Sequence, residues 1–165
     1  MVRDYQRPVK RTTDQIPTDA REQIGERLFN LVITRVPSHW VRRNWLRLFG
    51  ARIGRQTSIM MGTRVHGLKQ LSIGDNCSIG FRCLLDARGE LVIDDAVVLA
   101  SDVQMVAGHH VVDSDDFGRY LSPIHIAHHV WIASRSMVLA GVPAKRRGTR
   151  TSALDYRPNF RPLFY

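Results

Sequence analysis

Between residues 53 and 142 an aliphatic side chain returns at every sixth position, and the series restarts every twenty. Ile53, Ile59 and Val65 make one trio, Ile73, Ile79 and Leu85 a second, and Ile93, Leu99 and Met105 a third. A fixed short period sets the whole fold before any local element does. Six residues per side and three sides per turn predict a triangular parallel β-helix, whose coils bury their apolar positions only by stacking on one another. The position after the repeated aliphatic is often small or acidic (Gly54, Gly74, Gly80, Asp94, Ala133), as a tight corner requires. The fifth position is small or medium (Thr57, Thr63, Cys77, Cys83, Val97, Val103, Ser136), as a narrow interior requires. Alternating strands of a sandwich have a period of two and would not hold this pattern.

The ladder has one break. A rung due near residue 113 arrives only at Ile126, followed by Ile132 and Val138. The interruption opens with Gly108-His109-His110-Val111-Val112-Asp113, and the chain rejoins the ladder at Pro123-Ile124-His125-Ile126. Residues 108–123 are therefore expected to leave the prism as a loop. Two smaller insertions, around Gly67-Leu68-Lys69-Gln70 and Ala87-Arg88-Gly89-Glu90, fall at the same corner and should stack on one edge.

Upstream, residues 1–52 read as an arm followed by two helices. Asp19 is a candidate N-cap, with Glu22 placed to complete a capping box, and Ile24, Leu28, Leu31 and Val32 form an apolar stripe at helical spacing. After Pro37, Ser38 can cap a second helix with Val41, Trp45 and Leu48 on one face and Arg42, Arg43 and Arg47 elsewhere; Gly50 is its natural stop. This basic helix is expected to pack across the open end of the β-helix, with peripheral contact to a membrane surface as the alternative. Residues 143–165 form an aromatic and proline-rich tail that cannot continue the ladder. The three segments, 1–52, 53–142 and 143–165, are expected to make one structural unit.

Bulk properties narrow the picture. The chain has 165 residues, enough for one domain with a real core. Its net charge of +9 includes +6 within residues 1–52, from eleven basic against five acidic side chains. That balance suits phosphate-bearing small molecules or an anionic surface. No zinc-finger spacing or aromatic-rich basic groove points to nucleic acid. No apolar run is long enough for a membrane span, and the start lacks a secretion signal, so a cytoplasmic setting is expected. Cys77 and Cys83 occupy inward positions and should be reduced core residues rather than metal ligands.

Of seven histidines, His39, His66, His125, His128 and His129 read as structural or exposed. His109 and His110 stand where the scaffold yields to the loop. Counted from Met105, His109 faces inward and His110 falls at the corner, three residues before Asp113. An imidazole there can take a proton near neutral pH.

On these residues the chain resembles the hexapeptide-repeat, left-handed β-helix O-acetyltransferases, a group that includes maltose, galactoside and polysaccharide acetyltransferases. The resemblance runs over residues 37–145. It is carried by Gly50-Ala51-Arg52-Ile53-Gly54, Leu85-Asp86-Ala87-Arg88-Gly89, Gly108-His109-His110-Val111-Val112-Asp113, Val130-Trp131-Ile132-Ala133-Ser134 and Gly141-Val142-Pro143-Ala144-Lys145, in order. It implies an all-β fold with N-terminal helices and an extended C-terminal tail, assembled as a homotrimer, and transfer of acetyl from acetyl-CoA to a sugar or glycan-precursor hydroxyl without a metal. By motif register the general base would be His110. Asp86, Asp113 and Trp131 would meet the acceptor, Ala133 and Ser134 the pantetheine arm, and Lys145 and Arg147 the CoA phosphates.

Two departures from the family stand out. Phe81 lies near where an Asn is usual in sugar acetyltransferases, and the Ala-Gly-Val stretch at residues 140–142 runs straight into Pro143-Ala144-Lys145, as if one coil had been lost. A shortened prism with a weakened CoA wall, retained as a non-catalytic binding or structural module, is therefore the alternative function. A γ-type carbonic anhydrase on the same scaffold would need three converging histidines, and His110, His125 and His129 do not match that spacing.

Overall fold

The fold is seen in a computed structural model that describes residues 19–110 and 119–140, without the side chains of His109 and Arg119. Two helices, α1 (Ala20–Leu31) and α2 (His39–Leu48), precede four coils of short strands. The first coil holds β1 (Arg52–Ile53), β2 (Ser58–Ile59) and β3 (Arg64–His66), and the second holds β4 (Leu71–Ile73), β5 (Ser78–Ile79) and β6 (Leu84–Asp86). The third holds β7 (Leu91–Ile93), β8 (Val98–Leu99) and β9 (Gln104–Val106). A hairpin of β10 (Gly108–His110) and β11 (Arg119–Leu121) interrupts the series, and β12 (Ile124–Ile126), β13 (Trp131–Ile132) and β14 (Met137–Leu139) form the fourth coil.

The ladder is the register of the sheets. Strands stack into three parallel sheets, β1-β4-β7-β12, β2-β5-β8-β13 and β3-β6-β9-β14. Ile53, Ile73, Ile93 and Ile126 pair in sequence along the first, and Ile59, Ile79, Leu99 and Ile132 along the second. Val65, Leu85, Met105 and Val138 do so along the third. All twelve side chains are buried. The fold is thus a parallel β-helix, as the period requires.

Two of the three corners are tight. Gln56, Asn76, Ala96 and His129 turn the chain from the first side to the second with positive φ, and Gly62, Arg82, Asp102 and Arg135 turn it from the second to the third. A non-glycine residue in this region costs about 1 kcal/mol, which the inter-coil hydrogen bonds made at each corner offset. The interior satisfies its own polar atoms. The Thr57 hydroxyl donates to the Gly74 carbonyl at 2.7 Å and the Thr63 hydroxyl to Gly80 at 3.1 Å. Above them the Cys77 and Cys83 thiols donate to Asp94 and Ala100. Both cysteines are free and buried, and burial pushes both thiols above their ordinary value.

The third corner is wider and takes the insertions. A 3-10 turn over Leu68–Gln70 occupies it in the first coil, Ala87-Arg88-Gly89-Glu90 in the second and the β10–β11 hairpin in the third. Gly67 adopts φ 75°, and a side chain there would meet the Arg88 backbone nitrogen at 2.9 Å. Stacking of these insertions on one edge follows the sequence expectation.

The first coil would present a raw strand edge, and the two helices cover it with side chains rather than with backbone. Unpaired buried backbone groups cost about as much as a lost hydrogen bond, so this edge needs partners. Arg42 donates through Nε to the Ile59 carbonyl at 2.7 Å and through Nη1 to the Val36 carbonyl. Arg43 reaches the Thr57 carbonyl at 3.1 Å, and Arg47 reaches Ile53 and Gly54, each at 2.7 Å. Asn30 acts as a surrogate strand residue: its amide donates to the Val65 carbonyl at 2.8 Å and accepts from the Val65 N–H at 2.9 Å. The Thr34 hydroxyl donates to the Thr63 carbonyl at 2.6 Å.

The structure has both helices, capped by Asp19 and Ser38, but differs from three expectations. Glu22 does not close a capping box; it is buried and accepts from the Lys69 N–H at 3.1 Å. The stripe of Ile24, Leu28, Leu31 and Val32 faces outward, because the surface that α1 meets is a polar strand edge; its inner face is Glu22, Gly25, Glu26, Phe29 and Asn30. In α2 the buried residues are Arg42 and Leu46, while Leu48 is exposed. The arginines expected to lie elsewhere are the groups that join α2 to the coil. Packing across the open end, the main expectation for this helix, is what the structure has.

Candidate active site

The hairpin grows from the third corner, between the third and first sheets. Its strands are antiparallel, with Gly108 opposite Leu121, His109 opposite Tyr120 and His110 opposite Arg119. The base is firmly seated. Ala107 and Leu121 are buried, and the Ser122 N–H donates to the Ala107 carbonyl at 2.9 Å. A side chain on Gly89 would stand 2.5 Å from the Ser122 carbonyl oxygen, so glycine is what lets the hairpin rest on the coil below. From this base His110 projects with an exposed side chain. Solvent access is what a general base needs.

Directly below, the corner of the second coil holds Asp86, paired in register with His66 of the first. Asp86 is 2% exposed. Arg88 clasps it with Nε at 2.8 Å from one carboxylate oxygen and Nη2 at 2.8 Å from the other, and donates its backbone N–H to the same group at 3.2 Å. Burial works to raise the Asp86 pKa, but the hydrogen bonds and charge of Arg88 outweigh it and hold the carboxyl below its ordinary value. One level lower, His66 Nδ1 donates to Glu26 at 2.8 Å, and Glu26 also accepts the Gly67 N–H at 2.9 Å. Burial works to raise the Glu26 pKa, but these two bonds together with the neighbouring charges hold it below its ordinary value. The corner beneath the hairpin is thus a column of paired side chains: Glu26 hydrogen-bonded with His66, then Asp86 ion-paired with Arg88.

The expected acceptor and donor residues are distributed by this geometry. Asp86 lies in the coil below the base of the hairpin, and both its oxygens are already engaged by Arg88. Trp131 is 52% exposed on the second sheet, the side of the triangle opposite the hairpin corner. One chain therefore does not bring Trp131 and His110 together. Ala133 is half-buried and Ser134 exposed in the turn between β13 and β14, at the corner shared by the second and third sheets. Phe81 sits at that same corner in the second coil, exposed, and not at the hairpin. Asp113, Lys145 and Arg147 lie outside the described residues, as does the junction at residues 141–145.

His110 and Ser134 both border the third sheet. Its outer surface carries Arg64, Leu84, Gln104 and Met137 in register from coil to coil. Two features of the site were not singled out from the sequence. Arg88 was only part of a motif; its signal was an arginine two residues after Asp86 on an inserted corner. The Ser122 hydroxyl is buried at the hairpin base with no hydrogen-bond partner among the described residues, and nothing in the six-residue period marks it. Among the described residues no group of three or more His, Cys, Asp or Glu is arranged to hold a metal ion.

No family model matches the chain. In sequence it is 31% identical over 97 residues to the Escherichia coli (strain K12) protein named "Putative colanic acid biosynthesis acetyltransferase WcaF", and equally to the Shigella flexneri protein of that name. The match covers 59% of this chain and 53% of each relative, so the chain spans about half the length of the curated relatives it matches. In fold it is similar to the hexapeptide-repeat containing acetyltransferase VCA0836 from Vibrio cholerae, with a TM-score of 0.67 and 20% identity over 75% of this chain and 72% of that one. It is also similar to a maltose O-acetyltransferase from Clostridium difficile 630, with a TM-score of 0.62 and 24% identity over 74% and 66%. The Vibrio protein complexed with acetyl coenzyme A aligns with a TM-score of 0.54 and 17% identity over 75% and 77%. The resemblance to hexapeptide-repeat acetyltransferases therefore holds in sequence and in fold.

Proposed function

We propose that this chain is an acetyl-CoA-dependent O-acetyltransferase acting on a hydroxyl of a sugar or glycan precursor, with His110 as general base. The observation that carries the reading is His110 itself: an exposed imidazole held at the base of a hairpin that the coil below seats through Gly89 and Ser122. The left-handed sense of the coil belongs to the same reading.

A sugar hydroxyl is too weak an acid to attack a thioester unaided. His110 takes its proton as the oxygen attacks the acetyl carbonyl carbon. The tetrahedral intermediate carries its negative charge on the former carbonyl oxygen, where backbone N–H donors stabilise it. It collapses with cleavage of the C–S bond, and the imidazolium returns the proton to the departing CoA sulfur. Ester, free thiol and neutral His110 are the products.

What supports a donor site is that the Ala133-Ser134 turn and the hairpin that carries His110 lie at the two edges of the third sheet, and in this reading the pantetheine arm runs across that sheet. Lys145 and Arg147 remain the proposed phosphate partners. Asp113 and Trp131 remain the proposed acceptor contacts. Since one chain holds Trp131 opposite the hairpin corner, we place the complete site between subunits of a homotrimer, with His110 facing a neighbour's Trp131. Asp86 changes role in this reading. With Arg88 on both oxygens it stiffens the corner under His110 rather than binding the acceptor. A cytoplasmic location, where acetyl-CoA is made, belongs to the same proposal.

Thiol release from acetyl-CoA, assayed over a panel of sugars and nucleotide-sugars, tests the proposal. At least one acceptor should release thiol above the hydrolysis background. If none does while calorimetry shows acetyl-CoA bound, the chain is a binding module and the transfer reading is wrong.

A further inference from the structure

The helix α1 is built inside out. Its acidic and amide groups, Glu22, Glu26 and Asn30, turn inward to the first coil and are used there. Its aliphatic side chains turn outward: Ile24 is 57% exposed, Leu28 42% and Leu31 64%, with Val32 beside them. On a helical wheel Arg21 and Arg27 flank this stripe on its two sides, and both are exposed. Arg35, also exposed, closes the C-terminal end by donating to the Leu31 carbonyl at 2.8 Å. The acid at the N-terminal end, Asp19, is tied to Lys69 at 2.8 Å. The outward face of α1 is therefore aliphatic with a cationic rim.

We propose that this face docks on an anionic membrane surface. An aliphatic stripe between arginines is the arrangement by which a helix lies in a bilayer interface, its apolar side chains below the headgroups and its cations among them. Three considerations select this occupant. The stripe from Ile24 to Val32 is only about 13 Å long at 1.5 Å per residue on a helix about 10 Å across, a footprint of about 130 Å², far below the roughly 800 Å² per partner of a stable protein contact. A second copy of the same face would set arginine against arginine. Residues 1–18, which precede the Asp19 cap, add four basic against two acidic side chains, which strengthens attraction to the same surface. The cations that made the second helix look like a membrane element, Arg42, Arg43 and Arg47, are instead bonded to the first coil. No helix among the described residues is long and apolar enough to cross a membrane, so the contact is peripheral. It is independent of the acetyl-transfer reading and needs no activity to test.

The experiment is co-sedimentation of the full chain with vesicles of phosphatidylcholine alone and of phosphatidylcholine with phosphatidylglycerol. The protein should bind the anionic vesicles and not the neutral ones. Combined Ile24→Ser, Leu28→Ser and Leu31→Ser should lower the partition at least tenfold, and Arg27→Glu severalfold, with the melting temperature unchanged in both. Equal binding to both vesicle types, or equal binding of wild type and the triple variant, would overturn the proposal. So would a triple variant that changes its sedimentation coefficient in free solution, which would assign the stripe to a protein contact.

Discussion

The two ends of the charge distribution make an instructive contrast. At the open end of the first coil, Arg42, Arg43, Arg47, Glu22 and Asn30 are all spent on backbone groups of the β-helix. At the hairpin corner, Glu26, His66, Asp86 and Arg88 pair among themselves below, and His110 stands exposed above them. Both regions are rich in polar residues, yet in one the named groups are turned to the scaffold and in the other an imidazole stands exposed at the base of a hairpin. A basic helix in a sequence is therefore weak evidence for an anionic ligand when a raw strand edge lies next to it.

Each half of that contrast can be broken. The largest stability effect is expected at the capped end. Arg42→Ala removes a buried guanidinium that donates to the Ile59 and Val36 carbonyls; Val36 keeps the Ser38 N–H at 2.8 Å and Ile59 the His39 ring nitrogen at 2.9 Å, so the loss should be about 2–3 kcal/mol in denaturant unfolding. A loss below about 1 kcal/mol would mean that water replaces the guanidinium. At the corner, Arg88→Ala strands the buried Asp86 carboxylate; since Arg88 is itself partly exposed, about 2 kcal/mol is expected rather than the full penalty for a buried pair.

The same pair has a pH signature. The Asp86 carboxyl lies below its ordinary value in the folded chain. Its stabilisation is therefore complete above the unfolded value near 4 and is lost as pH falls through the lower, folded value. Asp86→Asn should be less stable than wild type at pH 7, and the gap should shrink as the pH is taken below about 4. A gap independent of pH would show that packing, not charge, is what Asp86 supplies.

Asn30→Ala removes two hydrogen bonds to Val65 and should cost about 1–2 kcal/mol. The smallest effect is expected on the outward face of α1, where Leu28→Ser should change stability by no more than about 0.5 kcal/mol. A larger loss there would mean that the stripe is covered within the folded protein.

The sequence reveals the scaffold more fully than its use. The six-residue period with a repeat of twenty is a statement of register, so the three sheets, the inward positions and the corner insertions all follow from it. The helices and their caps are equally legible, because capping is local. Which way the helices face is not, since an amphipathic reading assumes an apolar partner. The partner of α1 is a strand edge whose free N–H and C=O groups select Glu22, Glu26 and Asn30 over Ile24 and Leu28. The exposure of His110 follows from counting along the ladder. The engagement of Asp86 by Arg88 does not, because it depends on two inserted residues that curl the chain back at the corner, where the period says nothing.

The central claim is that His110 is the base of an acetyl transfer. The direct measurement is acceptor-dependent thiol release from acetyl-CoA by wild type and His110→Ala, each shown by calorimetry to bind acetyl-CoA equally. The account predicts a fall of about 10²- to 10⁴-fold in turnover, with donor affinity and melting temperature preserved. Unchanged turnover in His110→Ala would contradict it.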